Sequence, residues 1–169
     1  MRSNRFREML DAGKPTVGTH LMSSSPAVFE IAGHSGMDYV EFELEYAPFT
    51  LYDLENMARA VDLFEHMSSV VKIDQEPRTF LTNKILGAGL QNLLFADVRT
   101  PDDARECVGA VRAEAPGAGG HHGIGSYRSI GYVVDTPGDE YVKALEDAVV
   151  ILMIEKKEAV ENLDEILSV

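Results

Sequence analysis

Residues 149–154 of this chain read VVILMI, an uninterrupted apolar run. A strand with one face in solvent carries a polar residue at every second position, whereas a parallel strand covered on both faces does not. The run is also far shorter than the roughly 20 apolar residues that cross a bilayer. It therefore predicts a buried strand of a parallel sheet.

Helix-type segments flank this run on both sides, and the same alternation of strand and helix patterns holds upstream. The predicted strands are 15–21, 38–44, 69–73, 92–98 and 149–154; the predicted helices are 4–12, 27–34, 51–66, 78–86, 101–112, 141–147 and 156–169. Repeated β/α units of this kind are typical of a parallel α/β sheet or barrel.

The segment after the first predicted strand discriminates between the two parallel architectures. A doubly wound sheet usually has a glycine-rich phosphate loop there, but residues 22–26 read MSSSP. A (β/α)8 barrel takes about 250 residues, and this chain has 169. We therefore expect an α/β fold of the (β/α)8 TIM-barrel type, in which residues 1–169 form a single barrel domain that stops after the fifth unit.

Composition and charge exclude several classes of protein. The chain has 28 acidic and 15 basic residues, a formal net charge of −13, so a polyanion such as DNA would be repelled. Its one cysteine, Cys107, cannot form an internal disulfide and is expected to be a packed thiol. The polar N-terminus lacks the apolar core of a signal peptide. We expect a cytoplasmic protein that binds neither nucleic acid nor membrane.

Barrel enzymes assemble their active sites at the carboxyl ends of the strands. The predicted strands place these ionisable residues at or near their ends: His20, Glu43, Glu45, Tyr46, Lys72, Asp97 and Glu155. Glu43 and Glu45 alternate along one strand and should share a face, with Lys72 on the next strand as a partner. They form either a structural ion pair or a pair that orients a water molecule.

Glu155 follows the apolar run of residues 149–154 directly. A carboxylate at a barrel mouth is a hard oxygen ligand of the kind that Mg²⁺ or Mn²⁺ binds. The alternative is an acidic residue that stabilises a helix N-terminus through the helix dipole. A second site hypothesis concerns residues 119–123 (GGHHG), which are either a flexible loop or a site for a metal or an anion.

Residues 36–48 (GMDYVEFELEYAP) resemble the second-strand motif of the HpcH/HpaI family of class II pyruvate aldolases, approximately G-F-D-x-x-x-x-D-x-E-H-x-P. Four other stretches resemble the family in the same order: residues 4–18, Ser25-Pro26, Val71-Lys72-Ile73, and residues 153–166, which match M-I-E-T-x-x-A-V-x-N-x-x-x-I. The resemblance covers essentially the whole chain.

The resemblance implies a (β/α)8 barrel that binds Mg²⁺, Mn²⁺ or Co²⁺ and forms the enolate of pyruvate, which adds to an aldehyde. The reverse reaction cleaves a 4-hydroxy-2-oxo acid. It implies that Glu155 is a metal ligand and that Lys72 contacts the keto oxygen. His122 and Gly123 fall in the family's glycine-rich R-G-x-G loop and are expected to bind substrate. The family also implies a homo-oligomer, a trimer or hexamer in the full-length form.

This sequence departs from the family pattern in its acid–base residues. Glu43 and Tyr46 occupy the positions of an Asp–His pair that transfers protons, and a tyrosine with a pKa near 10 is a poor base at neutral pH. His20 or a metal-bound water, oriented by Glu45, would then act as the base. Lys72 replaces an arginine, and the second metal carboxylate belongs to a segment after a sixth strand.

Three functional hypotheses follow. The first is a metal-dependent lyase that acts on 4-hydroxy-2-oxo acids. The second is a decarboxylase of a short 2-oxo diacid, which forms the same enolate without a base at position 46. The third is a non-catalytic relative that binds an oxo acid, and it is motivated by the joint loss of histidine at Tyr46 and arginine at Lys72.

Overall fold

Five parallel strands, neighbours in chain order, form the sheet of this computed structural model, which describes residues 2–123, 128–132 and 138–169. The strands are β1 (Gly18–Leu21), β2 (Tyr39–Glu43), β3 (Ser68–Ile73), β4 (Asn92–Phe95) and β5 (Val150–Leu152). The helices are α1 (Arg5–Asp11), α2 (Pro26–His34), α3 (Leu51–Val61), α4 (Arg78–Ala88), α5 (Pro101–Val111), α6 (Gly138–Asp147), α7 (Lys157–Glu161) and α8 (Leu163–Leu167), with a 3-10 turn at Arg128–Ile130. The predicted parallel α/β architecture is confirmed.

The strand register divides the side chains between two faces of the sheet. One face packs against the helices and carries the main hydrophobic core, including Val40, Phe42, Val71, Leu93 and Phe95, each at most 1% exposed. Burying an apolar side chain of this size stabilises a fold by about 1.5–3 kcal/mol. This core therefore holds the helices on the sheet.

The opposite face, called the inner face below, holds a second and smaller apolar cluster. Phe6 of α1 packs there with Val70 and Val149, and its ring lies 5.0 Å from the ring of Tyr39. Tyr39 in turn covers Gly18, where a Cβ would come within 2.4 Å of the ring. The amino-terminal half of the inner face is therefore closed by apolar side chains.

Buried amides also tie together the amino-terminal ends of the strands. The Asn4 amide donates to Asn92 Oδ1 at 2.7 Å and to the carbonyl of Asp147 at 2.8 Å, and Ser68 Oγ donates to Asn4 Oδ1 at 3.3 Å. These bonds satisfy polar groups that would be costly to bury alone. The amino-terminal end of the inner face is therefore filled by apolar side chains and amides, and charged side chains lie at its carboxyl-terminal end.

Local signals account for the helix starts. Thr50 and Thr100 each form a capping box with an aspartate three residues on, and Pro26 and Pro101 occupy first-turn positions. No helix among the described residues has the length and hydropathy required to span a membrane.

Several predicted boundaries are wrong because tertiary contacts end the elements early. The helix predicted to reach residue 66 stops at Val61, and the chain then turns so that Phe64 covers Gly33. The helix predicted over 156–169 is interrupted at Asn162, whose amide donates to the carbonyl of Arg99 at 3.1 Å.

Four of the five predicted strands are longer than the observed ones, whereas β3 begins one residue earlier than predicted, at Ser68. Strand β4 ends at Phe95 because Asp97 takes a left-handed φ of 55°, and β5 covers only Val150–Leu152. Both faces of β5 were expected to be covered, but its residues are only partly buried. Within the described residues, β5 pairs with β4 alone, so its other edge has no strand beside it.

Candidate functional site

Lys72 is the centre of a charged cluster at the carboxyl-terminal end of the inner face. The register places it beside Glu43, and its Nζ lies 2.9 Å from Glu43 Oε2 and 2.8 Å from Glu45 Oε2. The side chains of Lys72, Glu43 and Glu45 are only 10%, 5% and 13% exposed. The cluster therefore combines one buried cation with two nearly buried anions.

Glu45 reaches Lys72 through a turn rather than along a strand. Strand β2 ends at Glu43, so the prediction that Glu43 and Glu45 share a strand face is wrong. The Leu44 amide lies 3.0 Å from the carbonyl of Lys72, and the Ala47 amide donates to the carbonyl of Glu43 at 3.1 Å. This turn brings Glu45 back over the end of β3.

Lys72 and Glu45 are both charged at neutral pH. Burial disfavours the Lys72 ammonium, but its bonds to Glu45 and Glu43 outweigh burial and raise the pKa of Lys72. Burial also opposes ionisation of Glu45, but its bonds to Lys72 and Tyr46 outweigh burial and lower the pKa of Glu45. A lysine held as an ammonium has no lone pair for attack on a carbonyl, so Lys72 is suited to electrostatic stabilisation rather than to Schiff-base chemistry.

Tyr46 forms the outer wall of the cluster. Its ring lies 5.0 Å from Lys72 Nζ in a cation–π contact, and the residue is 69% exposed. A hydrogen bond with Glu45 raises the pKa of Tyr46. The phenol is therefore neutral at physiological pH and can donate a proton in a hydrogen bond but cannot act as a base.

His20 lies next to this cluster, at the position on β1 that is paired with Glu41 of β2. Its Nδ1 is 3.0 Å from Glu41 Oε1, and its Nε2 is 3.9 Å from Glu43 Oε2. In the described part of the chain, His20, Glu41 and Glu43 offer ligand atoms that all lie within 4.8 Å of one another, which makes a metal site geometrically possible. However, the Lys72 ammonium already occupies one Glu43 oxygen and would repel a cation.

Glu155 lies three residues beyond the end of β5, and its side chain is 38% exposed. Its one ion-pair contact among the described residues is with Lys156, at 3.5 Å. Lys156 also lies 3.5 Å from Asp97. A loosely held carboxylate fits one ligand position of Mg²⁺ or Mn²⁺, since these ions bind one or two carboxylates together with water and substrate oxygens.

Asp97 links the two parts of this end of the sheet. Hydrogen bonds from Arg99, the nearest at 2.9 Å, lower the pKa of Asp97 and keep it ionised. Its negative charge is close enough to Glu45 to oppose the ionisation of that residue, although the pKa of Glu45 is lowered on balance. The loops after β2, β4 and β5 therefore meet at one charged rim.

His122 and Gly123 lie elsewhere. His122 is 3% exposed, and its Nδ1 contacts the carbonyl of Ala110 at the carboxyl end of α5. Helix α5 begins after the carboxyl end of β4 and runs back, so this contact is at the amino-terminal end of the sheet. The structure therefore does not bring His122 and Gly123 together with Lys72.

A cavity of about 1,040 Å³ lies at this opposite end, bordered by His122 and Tyr141. Several of its charged side chains already have partners: Arg2 lies 3.2 Å from Asp62, and Arg7 lies 3.5 Å from Asp11. Ile124 and Gly125, which follow His122 and Gly123 in the R-G-x-G segment, lie outside the described residues. The charged rim is the better candidate site because its groups converge on one buried cation.

Sequence reasoning missed Glu41. The signal was available, because Glu41 lies two residues before Glu43 on β2 and so shares its face. What the pattern did not supply was the register between β1 and β2, which puts Glu41 beside His20.

Comparisons with known proteins agree with this architecture. A family profile described as HpcH/HpaI aldolase/citrate lyase matches residues 16–169. The chain is 32% identical over 169 residues to a 2-keto-3-deoxy-L-rhamnonate aldolase of Escherichia coli, covering 99% of this chain and 61% of that protein. It therefore spans less than two thirds of the length of this relative.

Solved structures give the same result. A HpcH/HpaI aldolase/citrate lyase family protein from Burkholderia cenocepacia J2315 superposes with a TM-score of 0.86 at 26% identity, covering 97% of this chain and 64% of the other. A HpcH/HpaI aldolase from Desulfitobacterium hafniense DCB-2 superposes with a TM-score of 0.84 at 26% identity, covering 96% and 61%. Because sequence profile, relatives and fold agree along nearly its whole length, the chain belongs to the HpcH/HpaI aldolase/citrate lyase family.

Proposed function

We propose that this protein is a metal-dependent carbon–carbon lyase that forms or cleaves a 4-hydroxy-2-oxo acid through the enolate of a pyruvate-like 2-oxo acid. An aldehyde is the second reactant. The observation that carries the proposal is the Lys72 ammonium, held by Glu43 and Glu45 at the charged rim of a chain from this family.

Lys72 is placed to stabilise the negative charge that develops on an enolate oxygen. An ammonium has three N–H donors; one donates to Glu43 Oε2 at 2.9 Å, and Nζ also lies 2.8 Å from Glu45 Oε2 in an ion pair. A further N–H would donate to the keto oxygen of a bound substrate. A fixed positive group at a site of developing charge commonly contributes about 10²–10³-fold in rate.

Glu155 is the residue that would hold the divalent cation, Mg²⁺, Mn²⁺ or Co²⁺. When bound, such an ion acts as a Lewis acid towards the keto oxygen. The fit rests on the donor chemistry described above, a partly exposed carboxylate with only a 3.5 Å contact to Lys156.

The proton acceptor must be a group other than Tyr46, because the raised pKa of that phenol keeps it neutral. His20 and water are the remaining candidates. Tyr46 and Glu45 would instead border the substrate, with Glu45 holding Lys72 in place. The predicted single truncated barrel domain, the homo-oligomeric state and the cytoplasmic location stay predictions.

A decarboxylase of a short 2-oxo diacid is the second candidate. The neutral Tyr46 favours it, because loss of CO₂ leaves the same enolate next to Lys72 without removal of a C–H proton. Turnover of oxaloacetate without turnover of any 4-hydroxy-2-oxo acid would favour this candidate over the aldolase.

The test is proton exchange of pyruvate. The protein, pyruvate and Mg²⁺ are incubated in D₂O, and loss of the methyl proton signal is followed by NMR. We expect metal-dependent exchange in the wild type and its loss in Glu155→Gln and Lys72→Met, with the surface variant Lys157→Met as control. Pyruvate binding by calorimetry without exchange or turnover would refute the lyase proposal and favour a non-catalytic oxo-acid-binding protein.

A further inference from the structure

His20 and Glu41 form a pair on the inner face that the Lys72 cluster does not require. The two residues are directly paired in the β1–β2 register, with His20 Nδ1 3.0 Å from Glu41 Oε1. The His20 side chain is 50% exposed and that of Glu41 is 21% exposed. A histidine that is both held by a carboxylate and open to solvent can exchange protons with a ligand.

The pair fixes which ring nitrogen carries the proton. An ionised carboxylate has only acceptor sites, so the ring nitrogen that contacts it must be the donor. Neutral His20 therefore carries its proton on Nδ1, and the lone pair is on Nε2. That nitrogen lies 3.9 Å from Glu43 Oε2, which itself binds Lys72. The free lone pair is thus on the side of His20 nearest the proposed enolate site.

We infer that His20 is the proton acceptor of this site and that Glu41 is the positioning residue that holds its Nε2 lone pair towards the Lys72 cluster. This inference rests on the proposed function. The C–H bond of the 2-oxo acid methyl group breaks, and its proton passes to His20 Nε2. The electron pair of that bond becomes the C=C bond of the enolate, and the negative charge comes to lie on the oxygen next to Lys72.

The proton held by His20 is transferred to the aldehyde in the second step. When the enolate carbon forms a bond to the aldehyde carbon, the aldehyde oxygen gains an electron pair and takes the proton from His20. The imidazole returns to its neutral form with Nδ1 still bound to Glu41. No reactant beyond the 2-oxo acid and the aldehyde is consumed.

The charges around His20 agree with this role. Glu41 and Glu43 face it from β2, and Lys72 of β3 lies behind Glu43. Two carboxylates therefore lie beside the ring that receives the proton. A metal ion bound by His20, Glu41 and Glu43 would need the lone pair and both carboxylates, and so would compete with proton transfer.

The experiment measures methyl proton exchange of pyruvate by NMR and the His20 tautomer by ¹⁵N chemical shifts, in the full chain. We expect His20→Gln to slow exchange by at least about 100-fold, in the range that a general base contributes. Glu41→Gln should slow it by about tenfold through kcat with KM little changed, and should shift the tautomer away from Nδ1–H. Glu41→Asp should restore part of the rate. Glu55→Gln, on the outer side of α3, is the matched control.

The outcomes separate this inference from the proposed function. If the wild type exchanges protons and His20→Gln retains its rate, the inference is overturned while the lyase proposal stands. If Glu41→Gln leaves both rate and tautomer unchanged, Glu41 is not a positioning residue. If the wild type shows no exchange with Mg²⁺ or Mn²⁺, the proposed function fails and the inference fails with it. Circular dichroism of each variant checks that it is folded.

Discussion

Removing the Lys72 charge should destabilise the protein strongly and in a pH-dependent way. Lys72→Met keeps an unbranched apolar stem, one atom shorter than that of lysine, but leaves Glu43 and Glu45, 5% and 13% exposed, without their cation. At separations of 2.9 and 2.8 Å, each ion pair contributes a gross attraction of about 6 kcal/mol at an effective dielectric constant of about 20. Desolvation offsets much of this attraction.

Mutations that break a buried pair commonly lower the free energy of unfolding by about 3–5 kcal/mol, because a charge is left buried without its partner. We expect a loss of that size for Lys72→Met at pH 7. For a chain of this size it corresponds to a fall in melting temperature of about 6–20 °C. Urea unfolding followed by circular dichroism measures it directly.

The pH dependence follows from the direction of the pKa shifts. The pKa of Glu45 is lowered in the folded protein, so its contribution is present above the unfolded value of about 4.3 and is lost as the pH falls through the folded value. The pKa of Lys72 is raised, so its contribution persists up to about pH 10.4 and is lost above that. The difference between wild type and variant should therefore be largest between about pH 5 and 10.

Lys156→Met is the control, because its ion pairs with Asp97 and Glu155 are both 3.5 Å long and its side chain is 42% exposed. Exposed pairs contribute about 0–1 kcal/mol. A loss for Lys72→Met no larger than that of the control, and equal at pH 4 and pH 7, would refute the assignment of Lys72 as a desolvated, doubly paired ammonium.

Two further predictions concern packing. Gly18→Ala should lower the free energy of unfolding by about 1–3 kcal/mol, because the new Cβ would lie 2.4 Å from the Tyr39 ring. Gly138 has open space around it, so the control Gly138→Ala should change the free energy of unfolding by less than about 1 kcal/mol. Equal effects of the two substitutions in urea unfolding would contradict this packing. Burial raises the pKa of the Cys107 thiol to about 12, so iodoacetamide at pH 8 should label Cys107 only in urea-unfolded protein. Rapid labelling of the native protein would contradict the burial of this thiol.

The order of elements could be read from the sequence because it depends on short-range patterns. The apolar run in residues 149–154 and the capping signals at Thr50 and Thr100 each act within a few residues. The boundaries could not be read in this way. Phe64 ends the turn after α3 by packing on Gly33, a residue on a different helix, and no local pattern contains that contact.

The contacts of the candidate site were likewise predictable from the sequence only in part. Lys72 and Glu43 could be predicted as partners because both stand at the ends of consecutive parallel strands. The pairing of Glu45 with Lys72 was expected for the wrong reason, since a turn and not a strand brings Glu45 there. His122 matched a motif position by resemblance, yet α5 carries the chain to the other end of the sheet before His122 is reached.

By itself, the sequence determined the parallel α/β class, the strand order and the acidic and basic residues available at the strand ends, because hydrophobic periodicity and charge are properties of each segment. Only the tertiary structure decided that His20 faces Glu41, that Tyr46 covers Lys72 and that His122 is remote. Those contacts depend on strand register and on the direction of the connecting turns, and both are set by packing between segments that are distant in sequence.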